Sequence, residues 1–266
     1  MKRKIWLLTI FTMLMFLISG CVNAGKTSNE TSKIERANYT GQKLYLYAAA
    51  SLKKPMDEVI FSFEKKTGAK VIPNYGASGE LYSQIKSGQP CDIYFPADWL
   101  YVDKLKNDGM LKTSQKFLED VVVLVVSEKG KSKVQKVDDL LKPNVAVGVA
   151  DPKAPIGVYT ETALKKMKLW EKLILSGNLK ARPVTVNQVA MMVKNDELDA
   201  GFVYSSVAKA FGLEYVQIIP KEYTGEIVYG AAIIKGGNEK LAQEFLNFVN
   251  KNIEKFTKYG WKVAKK

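Results

Sequence analysis

The sequence contains no histidine among its 266 residues. Histidine is the commonest general base and the commonest zinc ligand, and it is the usual partner of a nucleophilic serine. Its absence argues against a secreted serine hydrolase that uses Ser51 or Ser78, and no Gly-x-Ser-x-Gly turn supports one. We keep that enzyme as a distant alternative and expect neither catalytic residues nor a cofactor.

Cysteine is almost absent as well, with Cys21 and Cys91 the two copies. The segment Ile18-Ser19-Gly20-Cys21 resembles a bacterial lipobox, in which the cysteine is acylated and becomes the mature N-terminus. Cys91 then has no disulfide partner, and its apolar surroundings in the sequence favour a buried, inert thiol.

No apolar run is long enough for a comfortable membrane span. The uncharged run at residues 5–19 follows three basic residues and is shorter than the roughly 20 residues that a spanning helix needs. We predict a lipoprotein signal peptide at residues 1–20 and a flexible tether at residues 21–41, which begins at the lipidated Cys21. The protein is therefore expected to be exported and anchored by lipid to the outer face of the cell membrane. An ordinary signal peptide that contains a cysteine is the alternative.

Acidic residues are outnumbered, and the formal net charge is +13. The lysines are spread over predicted helices, as at Lys165, Lys166 and Lys194, instead of forming one basic stripe. We interpret them as a solvated surface and expect no nucleic-acid partner.

Strand and helix patterns alternate beyond the tether, which predicts an α/β protein with two lobes built on mixed sheets. Strands are predicted at residues 44–49, 70–74, 92–95, 121–126, 145–149, 181–184, 200–204, 216–219 and 227–234. Helices are predicted at residues 52–66, 80–86, 99–107, 137–141, 159–167, 187–194, 239–250 and 253–259. We expect lobe 1 to comprise residues 42–120 and 223–266, and lobe 2 to comprise residues 121–222.

Two serines stand where a predicted strand runs into a helix. They lie in Ala48-Ala49-Ala50-Ser51-Leu52 and in Gly76-Ala77-Ser78-Gly79-Glu80-Leu81. A helix N-terminus leaves backbone N–H groups unpaired and can hold an anion without a charged side chain. Ligands of open α/β folds bind beyond the carboxyl ends of the strands, which is where both serines lie. The pattern predicts an anion receptor with its cleft between the lobes.

Further segments carry a resemblance to a known family. They are Asp151-Pro152 through Gly157-Val158-Tyr159, Gly201-Phe202-Val203-Tyr204, Asp92-Ile93-Tyr94-Phe95-Pro96-Ala97-Asp98 and Tyr259-Gly260-Trp261. With the two serine turns, they resemble the molybdate-binding receptors of bacterial ABC transporters over residues 43–263. The resemblance implies a type II periplasmic-binding-protein fold, and a monomer that delivers molybdate, and tungstate with it, to permease and ATPase subunits.

The resemblance also implies a set of ligand-binding residues. Ser51 and Ser78 would donate from their hydroxyl and backbone N–H groups, Ile156 and Val186 from their backbone N–H groups, and Tyr204 from its phenol. Molybdenum or tungsten would be bound only as its oxyanion, through these same residues. The loop before Ile156 is one residue shorter than is usual in the family, so Ala154 or Gly157 is an alternative donor.

A site made only of donors favours a fully deprotonated dianion, because the hydrogen of a protonated oxyanion needs an acceptor. Such a site should reject hydrogen phosphate and accept molybdate, tungstate or sulfate, with pocket size deciding among them. A receptor for sulfate or another tetrahedral oxyanion is therefore the alternative within the same fold.

Other readings of the polar residues are weaker. Asp92 and Asp98 resemble a paired-carboxylate site, but their flanking residues favour turn and helix capping. The tyrosines Tyr45, Tyr47, Tyr75 and Tyr94 suggest an iron site, which the lack of histidine and of a carboxylate cluster disfavours. A passive surface lipoprotein is the remaining alternative.

Overall fold

The computed structural model describes residues 39–265. The predicted signal peptide and the lipidated Cys21 lie outside these residues. The predicted tether extends too far at its C-terminal end, because Tyr39 is buried in the hydrophobic core and its N–H donates to the Thr67 carbonyl at 2.9 Å. Residues 39–41 therefore belong to the folded part.

The described residues form strands and helices in alternation. The strands are β1 (Lys43–Ala49), β2 (Lys70–Gly76), β3 (Ile93–Phe95), β4 (Leu111–Asp120), β5 (Val122–Val126), β6 (Val147–Gly148), β7 (Leu179–Ala181), β8 (Ala200–Tyr204), β9 (Tyr215–Ile218), β10 (Ile227–Ile234) and β11 (Lys262–Val263). The α-helices are α1 (Lys53–Thr67), α2 (Ser78–Lys86), α3 (Leu100–Asn107), α4 (Pro155–Lys166), α5 (Trp170–Leu175), α6 (Val186–Lys194), α7 (Ser205–Phe211), α8 (Lys221–Thr224), α9 (Glu239–Lys251) and α10 (Glu254–Thr257). Short 3-10 helices cover Ala50–Leu52, Gly130–Ser132 and Val137–Leu141.

The strands build two mixed sheets, each of which forms the centre of one lobe. The first lobe has six strands in the order β11-β4-β10-β3-β1-β2, and the second has five in the order β7-β6-β8-β5-β9. Strands β1, β2 and β3 are parallel, whereas β10 runs antiparallel to β3 and β4. The chain passes to the second sheet between β4 and β5 and returns between β9 and β10. The predicted two-lobed α/β fold with mixed sheets is confirmed.

Helix α1 illustrates how the sequence pattern produces the packing. Met56, Val59, Ile60 and Phe63 recur at helical spacing and are buried in the core. Gly68 ends the helix in the left-handed conformation, with φ of 74°, and its N–H returns to the Glu64 carbonyl. The apolar face holds α1 against the first sheet and α9, so the turn that precedes it is fixed in place.

Several elements differ from the prediction. β4 was missed because all of its first six residues are only partly buried or exposed and give no alternating pattern. Helices α5 and α7 were also missed, and the strand predicted at residues 145–149 is reduced to Val147–Gly148. Within residues 39–265, no helix combines the length and the apolar character that a membrane crossing requires.

Candidate anion-binding site

A small cavity lies where four helical segments begin. The first lobe contributes the 3-10 helix Ala50–Leu52, which leads into α1, and the start of α2; the second contributes the starts of α4 and α6. The first N–H groups of a helix have no partner within the helix, and its dipole makes this end positive. Four such ends around one space favour an anion.

The residues around the cavity carry no formal charge. They are Ala49, Ala50, Ser51, Gly76, Ala77, Ser78, Ala97, Ala154, Pro155, Ile156, Thr185, Val186 and Tyr204. The cavity volume is about 10 Å³, far below the roughly 300–1,000 Å³ that is typical of pockets for organic ligands. Its size and lining suit a small ion that is bound by neutral donors.

All five residues predicted from the sequence line this one cavity. Ser51 and Ser78 reach it from the first lobe, and Ile156, Val186 and Tyr204 reach it from the second. Residues that are distant in the sequence are therefore brought together as the strand-end argument predicts. Their role in binding stays a prediction.

The two serine hydroxyls are held by hydrogen bonds from the first lobe. Ser78 Oγ accepts the Ala97 N–H at 3.0 Å, and the Ser78 carbonyl accepts the Tyr94 hydroxyl at 2.7 Å. Ser51 Oγ lies 3.1 Å from the Tyr229 hydroxyl. Because Ser78 Oγ already accepts a hydrogen bond from the protein, its own proton is free to donate into the cavity.

Tyr204 presents a hydroxyl whose hydrogen-bonding capacity is unused. The side chain is 1 % exposed, and among the described residues its hydroxyl has no hydrogen-bond partner. Burial raises the pKa of Tyr204 well above its usual value, so the phenol keeps its proton. A buried hydroxyl without a partner costs about 1–3 kcal/mol, and such a group in a native fold calls for an explanation, of which a missing ligand is one.

The loop that leads into α4 distinguishes between the alternative donors. The Ala154 N–H donates to the Asp151 carbonyl at 3.0 Å, and the Gly157 N–H donates to the Ala154 carbonyl at 2.9 Å. Pro155 has no N–H. The described hydrogen bonds of this loop leave the Ile156 N–H without an acceptor, which favours Ile156 over the two alternatives.

The start of α6 is capped in a way that leaves Val186 available. Thr185 Oγ1 accepts the Gln188 N–H at 3.3 Å, and Gln188 Oε1 accepts the Thr185 N–H at 2.9 Å. This capping box gives hydrogen-bond acceptors to the N–H of Gln188, the third residue of the helix, and to the N–H of Thr185, the residue before the helix. Val186 is the first residue of α6 and lines the cavity, and its N–H has no acceptor among residues 39–265.

The two lobes touch directly beside the cavity. The Gly79 N–H donates to the Lys153 carbonyl at 3.0 Å, and Asn187 Nδ2 donates to the Ala50 carbonyl at 2.7 Å. A Cβ atom on Gly79 would lie 2.8 Å from the Lys153 carbonyl oxygen, so only glycine permits this approach. Lys153 Nζ and Glu80 Oε1 add an exposed ion pair at 3.4 Å. The described conformation is therefore one in which the lobes are in contact.

The other polar candidates have local structural partners. Asp92 accepts the backbone N–H groups of Tyr45 and Asn238, and Asp98 accepts that of Leu100. The Asp98 contact matches the expected capping role, whereas Asp92 joins β1 to the segment before α9. Within residues 39–265, no cluster of three or more His, Cys, Asp or Glu side chains is arranged to hold a metal ion.

Three of the four tyrosines of the alternative iron site donate their hydroxyls to other groups. Tyr47 donates to Gln89, Tyr75 to Asp57, and Tyr94 to the Ser78 carbonyl. Cys91 is buried, as predicted, and burial raises the pKa of its thiol.

Sequence reasoning missed three residues that support the cavity. Thr185 and Gln188 form a capping box that the pattern Thr-x-x-Gln could have indicated. Tyr229 gave no local signal, since it is 178 positions from Ser51 in the sequence.

Comparison with known proteins places this sequence in a family. A sequence model described as bacterial extracellular solute-binding protein matches residues 44–262. The chain belongs to this family.

The chain is similar to molybdate-binding proteins and to a component of an ABC transporter. The chain is 27 % identical to the molybdate-binding protein ModA of Escherichia coli (strain K12), over 83 % of this chain and 89 % of that protein. It is 31 % identical to YvgL of Bacillus subtilis (strain 168), provisionally named an ABC transporter substrate-binding lipoprotein, over 92 % of this chain and 93 % of that one. The solved periplasmic molybdate-binding protein of Azotobacter vinelandii superposes with a TM-score of 0.74 at 23 % identity, covering 84 % of this chain and all of that one. At that identity, the structural likeness establishes the fold.

Proposed function

We propose that this chain is an extracytoplasmic receptor that captures molybdate, and tungstate with it, and delivers the ion to the permease and ATPase subunits of an ABC importer. The solute-binding family and the molybdate-binding relatives support this function. The observation that carries it is the uncharged cavity, in which helix starts from both lobes surround the unpartnered Tyr204 hydroxyl.

The proposed ligand contacts are hydrogen bonds from neutral donors. Ser51 and Ser78 would each donate a hydroxyl and a backbone N–H, Ile156 and Val186 a backbone N–H, and Tyr204 its phenol. Hydrogen bonds to a charged acceptor contribute about 1.5–3 kcal/mol each. Several such bonds can hold a dianion without a cationic side chain.

The same donor set would select against protonated oxyanions. No carboxylate lines the cavity, so the hydrogen of hydrogen phosphate would meet donors instead of a strong acceptor. Sulfate carries no such hydrogen and is rejected only if the cavity is too large for it. A sulfate receptor on the same fold is therefore the alternative that the experiment has to separate.

The remaining assignments are proposals from the sequence. They are a non-enzymatic monomer without nucleic-acid partner, residues 42–120 and 223–266 as lobe 1, residues 121–222 as lobe 2, and a lipid anchor at Cys21. The absence of histidine supports the non-enzymatic role, and the sequence Ile18-Ser19-Gly20-Cys21 supports the anchor.

Calorimetric titration of the full-length protein in detergent tests the proposed function. We expect molybdate and tungstate to bind with a Kd of about 1 μM or lower, sulfate to bind at least about tenfold more weakly, and hydrogen phosphate to give no heat of binding. Equal affinity for sulfate and molybdate would show that the protein is a general oxyanion receptor instead of a molybdate receptor. No binding of any of the four anions would refute it.

A further inference from the structure

Tyr229 stands directly behind one of the proposed donors without lining the cavity itself. It lies on β10 of the first lobe, is fully buried, and its hydroxyl is 3.1 Å from Ser51 Oγ. Its ring packs edge-on against the Tyr204 ring, with centroids 5.7 Å apart. Tyr229 therefore contacts one proposed ligand residue from each lobe.

The hydrogen bond between Ser51 and Tyr229 can run in two directions. If Tyr229 donates, Ser51 accepts with a lone pair and its own proton is free for the cavity. If Ser51 donates, its oxygen offers the cavity only lone pairs. The first direction suits a dianion, whereas the second suits a ligand that carries a hydrogen.

The surroundings of Tyr229 favour the first direction. Burial raises the pKa of Tyr229 well above its usual value, so its hydroxyl always has a proton to donate. The Trp261 ring packs edge-on against the Tyr229 ring, with centroids 6.1 Å apart, and its indole N–H has no hydrogen-bond partner among residues 39–265. An indole N–H is a donor only, so it cannot accept the Tyr229 proton. The nearby Asp120 carboxylate accepts hydrogen bonds from Ser205 and Ser206, and the described hydrogen bonds of Tyr229 leave Ser51 as the acceptor.

We propose that Tyr229 is a positioning residue that holds the Ser51 hydroxyl as a donor toward the bound anion. This inference rests on the proposed function, because it assigns a direction to a donor of that site. Without the Tyr229 hydroxyl, the Ser51 hydroxyl rotates and can accept a hydrogen from the ligand. Tyr229 then contributes to the rejection of protonated oxyanions as well as to affinity.

Sulfate and hydrogen phosphate form a suitable ligand pair, since both are tetrahedral dianions and only hydrogen phosphate carries a hydrogen. Because hydrogen phosphate is expected to bind too weakly for direct calorimetry, both affinities are measured by competition against molybdate in the full-length protein, with enough competitor to detect weak binding. Tyr229→Phe should weaken molybdate binding about three- to tenfold, the loss expected for one hydrogen bond. It should also lower the ratio of the sulfate affinity to the hydrogen phosphate affinity. A merely structural role for Tyr229 would leave this ratio unchanged.

Two further variants distinguish a positioning role of the Tyr229 hydroxyl from a role of its ring in packing. Tyr47→Phe removes a hydroxyl from another buried tyrosine of the same sheet, whose partner is Gln89, and should change neither affinity nor the anion ratio. In a Ser51→Ala background, Tyr229→Phe should have no further effect on molybdate binding, because the group that Tyr229 orients is gone.

Additive effects of Tyr229→Phe and Ser51→Ala, or an unchanged anion ratio in Tyr229→Phe, would overturn the inference. If Tyr229→Phe does not fold, a neutron structure of the anion-free wild-type protein takes its place. It should show the Tyr229 deuteron between the two hydroxyl oxygens, and the Ser51 deuteron in that position would count equally against the inference. Failure of the proposed function is distinguishable, because the wild-type protein would then bind no molybdate.

Discussion

The two halves of the cavity differ in how far their donors are already occupied. In the first lobe, Ser51 is paired with Tyr229 and Ser78 accepts the Ala97 N–H. In the second lobe, the Tyr204 hydroxyl and the Ile156 N–H have no partner among the described residues. The groups of the first half are thus already hydrogen-bonded within the protein, whereas those of the second half gain partners only when a ligand binds.

This difference has consequences for the anion-free protein. Truncating a paired group leaves its buried partner unsatisfied and destabilises the fold. Truncating an unpaired buried group removes a desolvation cost and stabilises it. Substitutions in the two halves should therefore weaken anion binding alike but change thermal stability in opposite directions.

Ser51→Ala should have the largest effect. We expect molybdate affinity to fall about tenfold or more, since a charge-assisted hydrogen bond is lost. The anion-free protein should also melt about 2 °C or more lower, because the buried Tyr229 hydroxyl loses its partner. Calorimetric titration and a thermal melt measure both quantities. The control is Ser62→Ala on α1, which removes a hydroxyl that is hydrogen-bonded to the Glu58 carbonyl, away from the cavity, and should leave molybdate affinity unchanged. Unchanged affinity in Ser51→Ala would mean that Ser51 has only a structural role.

Tyr204→Phe should lower molybdate affinity about three- to tenfold. In the absence of anion, however, this variant should melt about 2 °C or more above the wild type, since an unpartnered buried hydroxyl is removed. The same two measurements apply. A lower melting temperature would mean that the Tyr204 hydroxyl is satisfied in the free protein, and the contrast between the two halves would then be wrong.

Asn187→Ala removes the side chain that joins α6 to the Ala50 carbonyl across the cleft. The loss of one cross-lobe hydrogen bond should raise the molybdate dissociation rate about two- to fivefold, with little change in the association rate. Stopped-flow measurements with excess competing tungstate give the dissociation rate. If the rate is unchanged, this contact does not contribute to holding the lobes together.

Lys153→Ala should change molybdate affinity by less than about twofold at physiological salt, because its ion pair with Glu80 is exposed and screened. Titration at two ionic strengths checks this expectation. A large loss of affinity that is reduced at high salt would mean that the site relies on a formal charge.

The pH dependence of binding should be the smallest effect. Tyr204 is the one titratable side chain in the cavity lining, and its raised pKa keeps it protonated through the neutral range. Molybdate affinity should therefore vary by less than about twofold between about pH 6 and about pH 9. A titration step inside this range, measured by calorimetry at several pH values, would indicate an ionisable ligand contact that the structure does not contain.

Local sequence patterns predict the first half of the cavity better than the second. Ser51 and Ser78 each follow a clear strand and begin a clear helix, so both their position and their orientation toward the cleft follow from short segments. Ile156 and Tyr204 depend on how the second lobe packs. The choice between Ile156 and its neighbours Ala154 and Gly157 required the hydrogen bonds of a loop that the sequence alone does not specify.

The contacts that support the cavity are mostly beyond sequence reasoning, because they join distant parts of the chain. Tyr229 reaches Ser51 only when β10 returns to the first sheet, and Asn187 reaches Ala50 only when the lobes meet. β4 was missed for a related reason: it is stabilised by its partners β10 and β11 instead of by an alternating pattern of its own.

A crystal structure with molybdate, with the molybdenum located by anomalous scattering, tests the central claim most directly. We predict one molybdenum atom in the cavity between the lobes, with its oxygens within hydrogen-bonding distance of Ser51 and Ser78 on one side and of Ile156, Val186 and Tyr204 on the other. Molybdenum bound elsewhere, or held by a charged side chain, would contradict an uncharged site made from the helix starts of both lobes.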